Sequence, residues 1–216
     1  MAANIEAYNK ILTELNSKAT LVAVSKTKPV ADLQEFYDSG QRDFGENYVQ
    51  ELVDKELLLP KAIRWHFIGH LQSNKVKYIA PFVYLIHGVD SFNLLKEINK
   101  EAAKNNRVID CLLQVHIAKE ETKFGLDATE LSEVMKESAT LKNVHIAGLM
   151  GMASFSDDRT LVRKEFTELH SLYNQYSGFS ILSMGMSGDY TIAMEEGSNM
   201  IRIGSLLFGE RLYPAK

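Results

Sequence analysis

Apolar residues along this chain gather into short β-branched or aliphatic runs, each followed by a polar stretch with helical spacing. The runs are TLVAVS (20–25), RDFGE (42–46), WHFIG (65–69), YLIHGVD (84–90), VIDCLLQVHI (108–117), VHIAGLMGM (144–152), FSILSMGMS (179–187) and MIRIGSLLFG (200–209). Their near-continuous apolarity is what parallel strands covered on both faces require. Between two of them, FNLLKEINKEAAKNN places Leu94, Leu95, Ile98 and Ala102 on one face of a 3.6-residue period, with Lys96, Glu97, Lys100 and Glu101 pointing away. Strands that alternate with helices predict an α/β protein, and eight such repeats close a single (β/α)8 TIM barrel. The competing open, doubly wound sheet expects a glycine-rich turn after its first strand, where VSKTKPV has no glycine. Residues 2–18, with Ile5, Tyr8, Leu12 and Leu15 on one face, predict an extra N-terminal helix across one end. No linker or charge block divides the chain, so a single domain over residues 1–216 is expected.

Composition narrows the function classes. A net charge of -4 and the absence of a dense basic run argue against a nucleic acid partner. One cysteine, Cys111, leaves no internal disulfide, and no Cys/His cluster has metal-ligand spacing, so no metal is expected. The N-terminal segment mixes Asn, Glu and Lys through its apolar positions, unlike a signal peptide, and APFVYLIHGV is too short to cross a bilayer. A cytoplasmic, monomeric protein with no membrane association is the expectation.

Chemistry in such barrels projects from the C-terminal ends of the strands. Read in order, those ends present Lys26; Glu46, Asn47 and Tyr48; His70; Asp90 and Ser91; His116; Met150 and Met152; Ser187; and Arg202 with Gly204 and Ser205. Alone, a strand-end lysine snorkels to solvent, a Gly-Ser pair is a turn or an N-cap, and an arginine forms an ion pair. Together they read differently, because loops after strands seven and eight are the usual phosphate site of barrel enzymes. A lysine facing a phosphorylated ligand serves as a point charge or as an amine that condenses with a carbonyl. Arg202 lies two residues before Gly204 on the same side of an extended strand, and can donate to an unprotonated ring nitrogen. Pyridoxal phosphate has the matching aldehyde, phosphate and pyridine nitrogen.

The segments AVSKTKP, FGENYVQE, HFIGHLQSNK, SMGMSGD and RIGSLLFG resemble the pyridoxal phosphate homeostasis protein family over nearly the whole chain. That family in turn resembles the barrel domain of alanine racemase without its C-terminal β domain. The resemblance implies a Schiff base between pyridoxal 5'-phosphate and Lys26, phosphate contacts from Ser187, Gly204 and Ser205, Arg202 near the ring nitrogen, and Asn47 beside the cofactor. Strand phase alone does not separate Lys26 from Lys28; next to Pro29, Lys28 reads as a solvated loop residue. One departure from the family pattern is His116, in QVH before a Glu-x-x-Lys-x-Gly segment, where many members have asparagine.

The expected role is a binding protein that carries, buffers or delivers pyridoxal phosphate to client apoenzymes, with no catalytic residue. An arginine opposes protonation of the ring nitrogen and so weakens the electron sink. A low-activity amino-acid racemase is the alternative, and it needs a second acid/base group opposite the lysine. A Schiff-base aldolase acting on a sugar phosphate is a third reading, which leaves Arg202 without a role. His70 is expected to cap a helix or bind a carbonyl, His116 to be a core histidine, Tyr48 to point its hydroxyl outward, and Met150, Met152, Met184 and Met186 to fill the barrel.

Overall fold

The computed structural model describes residues 3–119 and 124–209. Within them, parallel strands β1 (Thr20–Val24), β2 (Asp43–Glu46), β3 (Arg64–Phe67), β4 (Leu85–Val89), β5 (Ile109–Gln114), β6 (Val144–Met150), β7 (Ile181–Ser183) and β8 (Met200–Ile203) close into a barrel in chain order. β8 returns to β1 with Arg202 opposite Val22. Each predicted run overlaps its strand, although β3 begins one residue before its run, at Arg64, and several strands stop earlier than the apolar run. FSILSMGMS yields only three strand residues, because residues 184–187 already belong to the loop that turns toward the next helix.

Helices α1 (Ile5–Leu15), α2 (Val30–Asp38), α3 (Val49–Leu58), α4 (Val76–Ile79), α5 (Phe92–Lys104), α6 (Ala128–Ser138), α7 (Arg159–Tyr173), α8 (Tyr190–Glu195) and α9 (Ser205–Phe208) surround the strands. Short polar side chains cap the starts of α1, α5, α6 and α7. Ser91 Oγ accepts from Leu94 N–H at 3.3 Å, and Asp127 with Glu130 forms a reciprocal capping box at α6. α1 is the predicted extra helix, and Asn4 N–H donates to Leu207 O at 2.9 Å, which ties it to α9. Its inward stripe is Tyr8, Ile11 and Leu15, while Leu12 is 40% exposed. With Tyr8 edge-on to Phe36, the helix is rotated so that Ile11 turns inward in place of Leu12. On α5 the expected apolar face is buried, but Glu101 is buried with it, because Lys104 Nζ at 2.6 Å and Lys100 Nζ at 3.9 Å flank its carboxylate.

Apolar packing falls into two layers. The larger fills the space between strands and helices and contains Phe36, Phe44, Phe67, Phe166 and Phe208. A smaller cluster of Val22, Leu85, Leu112, Ala147, Met150 and Met200 lies inside the barrel. Burial of each large apolar side chain contributes about 1.5–3 kcal/mol, so the outer layer carries most of the stability. The inner layer shares its space with buried polar residues, among them Asp43, His66, His87, Ser183 and Arg202. No helix among the described residues is long and apolar enough to cross a membrane.

Candidate cofactor site

A cavity of about 490 Å³ opens where the strands end, lined by Lys26, Asn47, Ser187, Arg202, Gly204 and Ser205 together with apolar Val24, Ile68, Met152, Phe155 and Met186. All six residues singled out by sequence therefore meet at one place. Lys26 continues the inward phase of β1, two residues beyond Val24 and four beyond Val22.

The turn that carries Lys26 is braced from below. Thr27 adopts a left-handed conformation with φ of 62°, and its N–H donates to Glu51 Oε1 at 2.6 Å. Lys55 Nζ, on α3, donates to Ser25 O at 2.8 Å and to Glu46 Oε1 and Glu51 Oε1, both at 2.7 Å. Ser25 Oγ donates to Glu46 Oε1 at 2.6 Å. Glu46 is fully buried, and burial pushes its carboxyl above the usual range against the pull of Lys55. This clamp was invisible as a motif. Its only sequence signal is a lysine on the buried stripe of α3, three residues after Leu52.

Close backbone approach sets the next two groups. At Gly69 a Cβ would stand 2.5 Å from Asn47 O, so only glycine lets the end of β3 lie against the Asn47 backbone. Asn47 Oδ1 is buried without a hydrogen-bond partner among the described residues. At Gly185 φ is 95°, and a Cβ would stand 2.6 Å from that of Ala193. Gly185 O accepts from Arg202 N–H at 3.0 Å, which joins the β7 loop to β8. Beyond it, Ser187 Oγ accepts from Gly204 N–H at 3.3 Å, so the two Gly-Ser loops meet at one wall of the cavity. Gly188 lines the same wall, with nothing within 4 Å of where a Cβ would project.

Arg202 is buried, and its guanidinium donates to Ser183 O at 2.9 Å, Ser183 Oγ at 2.6 Å and Gly151 O at 3.0 Å. Burial lowers its pKa to about 10, leaving it a cation at neutral pH.

Other residues depart from expectation. Lys28 is half-buried and donates to Phe208 O at 2.8 Å and Gly209 O at 3.3 Å, satisfying the carbonyl end of α9 rather than ranging in solvent. His70 is exposed, paired with Asp90 at 3.2 Å and stacked on Phe124 at 4.4 Å, and among the described residues it neither caps a helix nor binds a carbonyl. His116 is half-buried beyond the end of β5 instead of in the core. Met150 fills the barrel and Met152 packs against its inner cluster, but Met184 belongs to the outer layer and Met186 is partly exposed at the cavity. Tyr48 is exposed as expected. Cys111 is buried, and burial raises its thiol pKa, so it is no nucleophile. Residues 120–123 of the Glu-x-x-Lys-x-Gly segment lie outside the described residues.

Known proteins resemble this chain over nearly its whole length. The family model for the alanine racemase N-terminal domain matches residues 1–212. The pyridoxal phosphate homeostasis protein of Aquifex aeolicus is 44% identical over 201 residues, 90% of this chain and 88% of that protein. Its namesake from Synechocystis is 39% identical, over 95% of this chain and 97% of that protein. The solved structure of PipY from Synechococcus elongatus with PLP bound superposes with a TM-score of 0.88 at 33% identity, covering 94% of this chain and 99% of that one. Alanine racemase of Clostridium difficile shares the fold at 14% identity and a TM-score of 0.77, and 56% of its chain is covered. An alanine racemase-type barrel matched at this identity and over this length places the chain in the pyridoxal phosphate homeostasis protein family.

Proposed function

We propose that this protein binds pyridoxal 5'-phosphate and serves in its homeostasis as a carrier and buffer, without dedicated turnover. The observation that carries the reading is the convergence of Lys26, Arg202 and the two Gly-Ser loops on one cavity, in a chain 33% identical to a protein solved with PLP bound. In this reading Lys26 would hold the cofactor through its side-chain amine, a group in the cavity able to condense with an aldehyde. Ser187, Gly204 and Ser205 hold the phosphate, with charge-assisted hydrogen bonds from hydroxyl and N–H groups. Arg202 would face the ring nitrogen and Asn47 would lie beside the ring.

The residues present fit that ligand. The buried Oδ1 of Asn47 has no donor among the described residues, and a ligand hydroxyl supplies one. The open space at Gly188 admits a phosphate where a side chain would intrude. When bound, the cofactor supplies an electron sink, and Arg202 keeps it weak by opposing protonation of the ring nitrogen. Racemisation needs a second acid/base group across from Lys26; the other titratable side chains among the described residues lining the cavity are Arg202, Lys28, which is engaged with Phe208 O and Gly209 O, and Asp189, which accepts from Met186 N–H. We further place the protein in the cytoplasm as a monomer that hands its cofactor to client apoenzymes; a single, buried cysteine, which can form no internal disulfide, suits a reducing compartment.

The test is transfer. Protein loaded with pyridoxal phosphate and mixed with a cofactor-depleted aminotransferase should restore its activity, and incubation with L-alanine should yield no D-alanine. Accumulation of D-alanine that depends on Lys26 would favour the racemase reading.

A further inference from the structure

A chain of hydrogen bonds runs through the barrel interior from Arg202 at the cavity to Asp43 at the opposite end of the strands. Its links are Arg202 Nη1 to Ser183 Oγ at 2.6 Å, Ser183 Oγ to His87 Nδ1 at 3.3 Å, His87 Nε2 to His66 Nδ1 at 2.9 Å, and His66 Nε2 to Asp43 Oδ1 at 2.9 Å. Arg64 closes the far end, with Nε to Asp43 Oδ1 at 2.7 Å and Nη2 to Oδ2 at 2.5 Å. Both imidazoles and the Ser183 side chain are fully buried. A pair of charged groups and two histidines is costly filling for a barrel that Leu, Ile and Val could occupy.

The end groups fix the direction of every link. A carboxylate only accepts and a guanidinium only donates. Burial pushes Asp43 up, but the hydrogen bonds from Arg64 and His66 outweigh it and hold the carboxyl below the usual range. Burial lowers the pKa of both rings: in His66 it outweighs the opposing pull of Asp43, and in His87 it acts with the repulsion of His66 and Arg202. With neutral rings one arrangement satisfies all links: His66 donates from Nε2 to Asp43, His87 from Nε2 to His66 Nδ1, and Ser183 from its hydroxyl to His87 Nδ1. Ser183 Oγ is then left to accept from Arg202. Each dipole in the series turns its negative end toward Arg202 and its positive end toward Asp43. Meanwhile no carboxylate among the described residues lies within ion-pair distance of Arg202, on which Asp189 acts only at longer range.

We propose that Asp43, His66, His87 and Ser183 are positioning residues, a one-way hydrogen-bond relay anchored by the Asp43–Arg64 pair that holds the Arg202 guanidinium oriented for the ligand. The inference rests on the reading of the cavity as a pyridoxal phosphate site only for its functional consequence. The relay exists in the protein without ligand.

The test has two arms. Nitrogen-15 NMR of the histidine rings in ligand-free protein at pH 7 should show His66 and His87 neutral, with the hydrogen on Nε2 in both. Asp43→Asn should also move the His87 nitrogen resonances, although residue 43 touches only His66 of the two. A cationic ring, an Nδ1–H tautomer in the wild type, or His87 resonances indifferent to Asp43→Asn overturns the relay. In the second arm, pyridoxal phosphate affinity is measured for Asp43→Asn, Ser183→Ala and the double variant, with folding checked by circular dichroism. Each single change should weaken binding about tenfold, within the range of coupled sites, and the double should bind no more weakly than Ser183→Ala alone. Multiplying losses would mean that Asp43 acts by general stability, and an unchanged affinity in Asp43→Asn would mean that it does not act on Arg202. If the wild type binds no pyridoxal phosphate, the proposed function fails while the NMR arm still decides the relay, including where a variant does not fold.

Discussion

Between the strands and the helices, Phe36 packs edge-on to Tyr8 and Phe208 with ring centroids 5.5 and 4.8 Å away, in a layer of leucine, isoleucine and phenylalanine. Inside the strands the burial is as deep, yet six apolar residues share the space with Asp43, His66, His87, Ser183 and Arg202. The outer layer works by volume and tolerates exchange of one apolar residue for another of similar size. The inner one works by placement, since each polar atom there depends on a particular partner at hydrogen-bond distance. One fold thus separates its two needs, with stability on the outside of the strands and a directed polar path to the cavity on the inside.

The contrast breaks first, and most severely, in the outer layer. Phe36→Ala should destabilise the protein by about 3–5 kcal/mol, read as a shift in the urea midpoint, because the cavity left behind is walled by rings from α1 and α9. Phe36→Leu should cost much less, and a loss equal to that of alanine would mean that this layer, too, depends on particular shapes.

A pH series sharpens the inner side. Burial lowers the folded-state pKa of His66 and His87, whereas in the unfolded chain each ring takes up its proton below about 6.5. The unfolded state therefore binds more protons there, and stability falls as pH drops below about 6.5. The slope is about 1.4 kcal/mol per pH unit for each ring until its folded pKa is reached. Glu46 runs the other way, because its raised pKa makes the folded state the better proton acceptor in acid. Comparison with His87→Gln isolates the ring, and urea unfolding at pH 7.5, 6.5 and 5.5 should show a shallower slope in the variant. An equal slope in both proteins would mean that His87 is not held neutral.

The same division explains what could be read from the sequence. Strand and helix identities were legible because the outer layer imposes apolar runs and a 3.6-residue stripe, and its exceptions are local: Leu12 for Ile11 on α1, and Glu101 drawn in by two lysines. The cavity residues Lys26, Ser187, Arg202, Gly204 and Ser205 were legible because strand ends converge in a closed barrel. The relay was not, since His66, His87 and Ser183 are single polar letters inside apolar runs, and their partners lie 21 and 96 residues apart in the chain. The Lys55–Glu46–Ser25 clamp was missed for a similar reason: a lysine on a helix ordinarily reads as solvated, and only its proximity to a fully buried carboxylate reverses that. Lys28 could not be separated from Lys26 by phase, and it is the carbonyl end of α9 that gives it a different task.

That last pair carries the most direct measurement. Protein incubated with pyridoxal phosphate, reduced with borohydride, digested and sequenced by mass spectrometry should carry the label on Lys26, and Lys26→Ala should carry none. Lys28→Ala should retain the Lys26 adduct, because its ammonium is engaged with Phe208 O and Gly209 O. A label found on Lys28, or persisting unchanged in Lys26→Ala, would contradict the account.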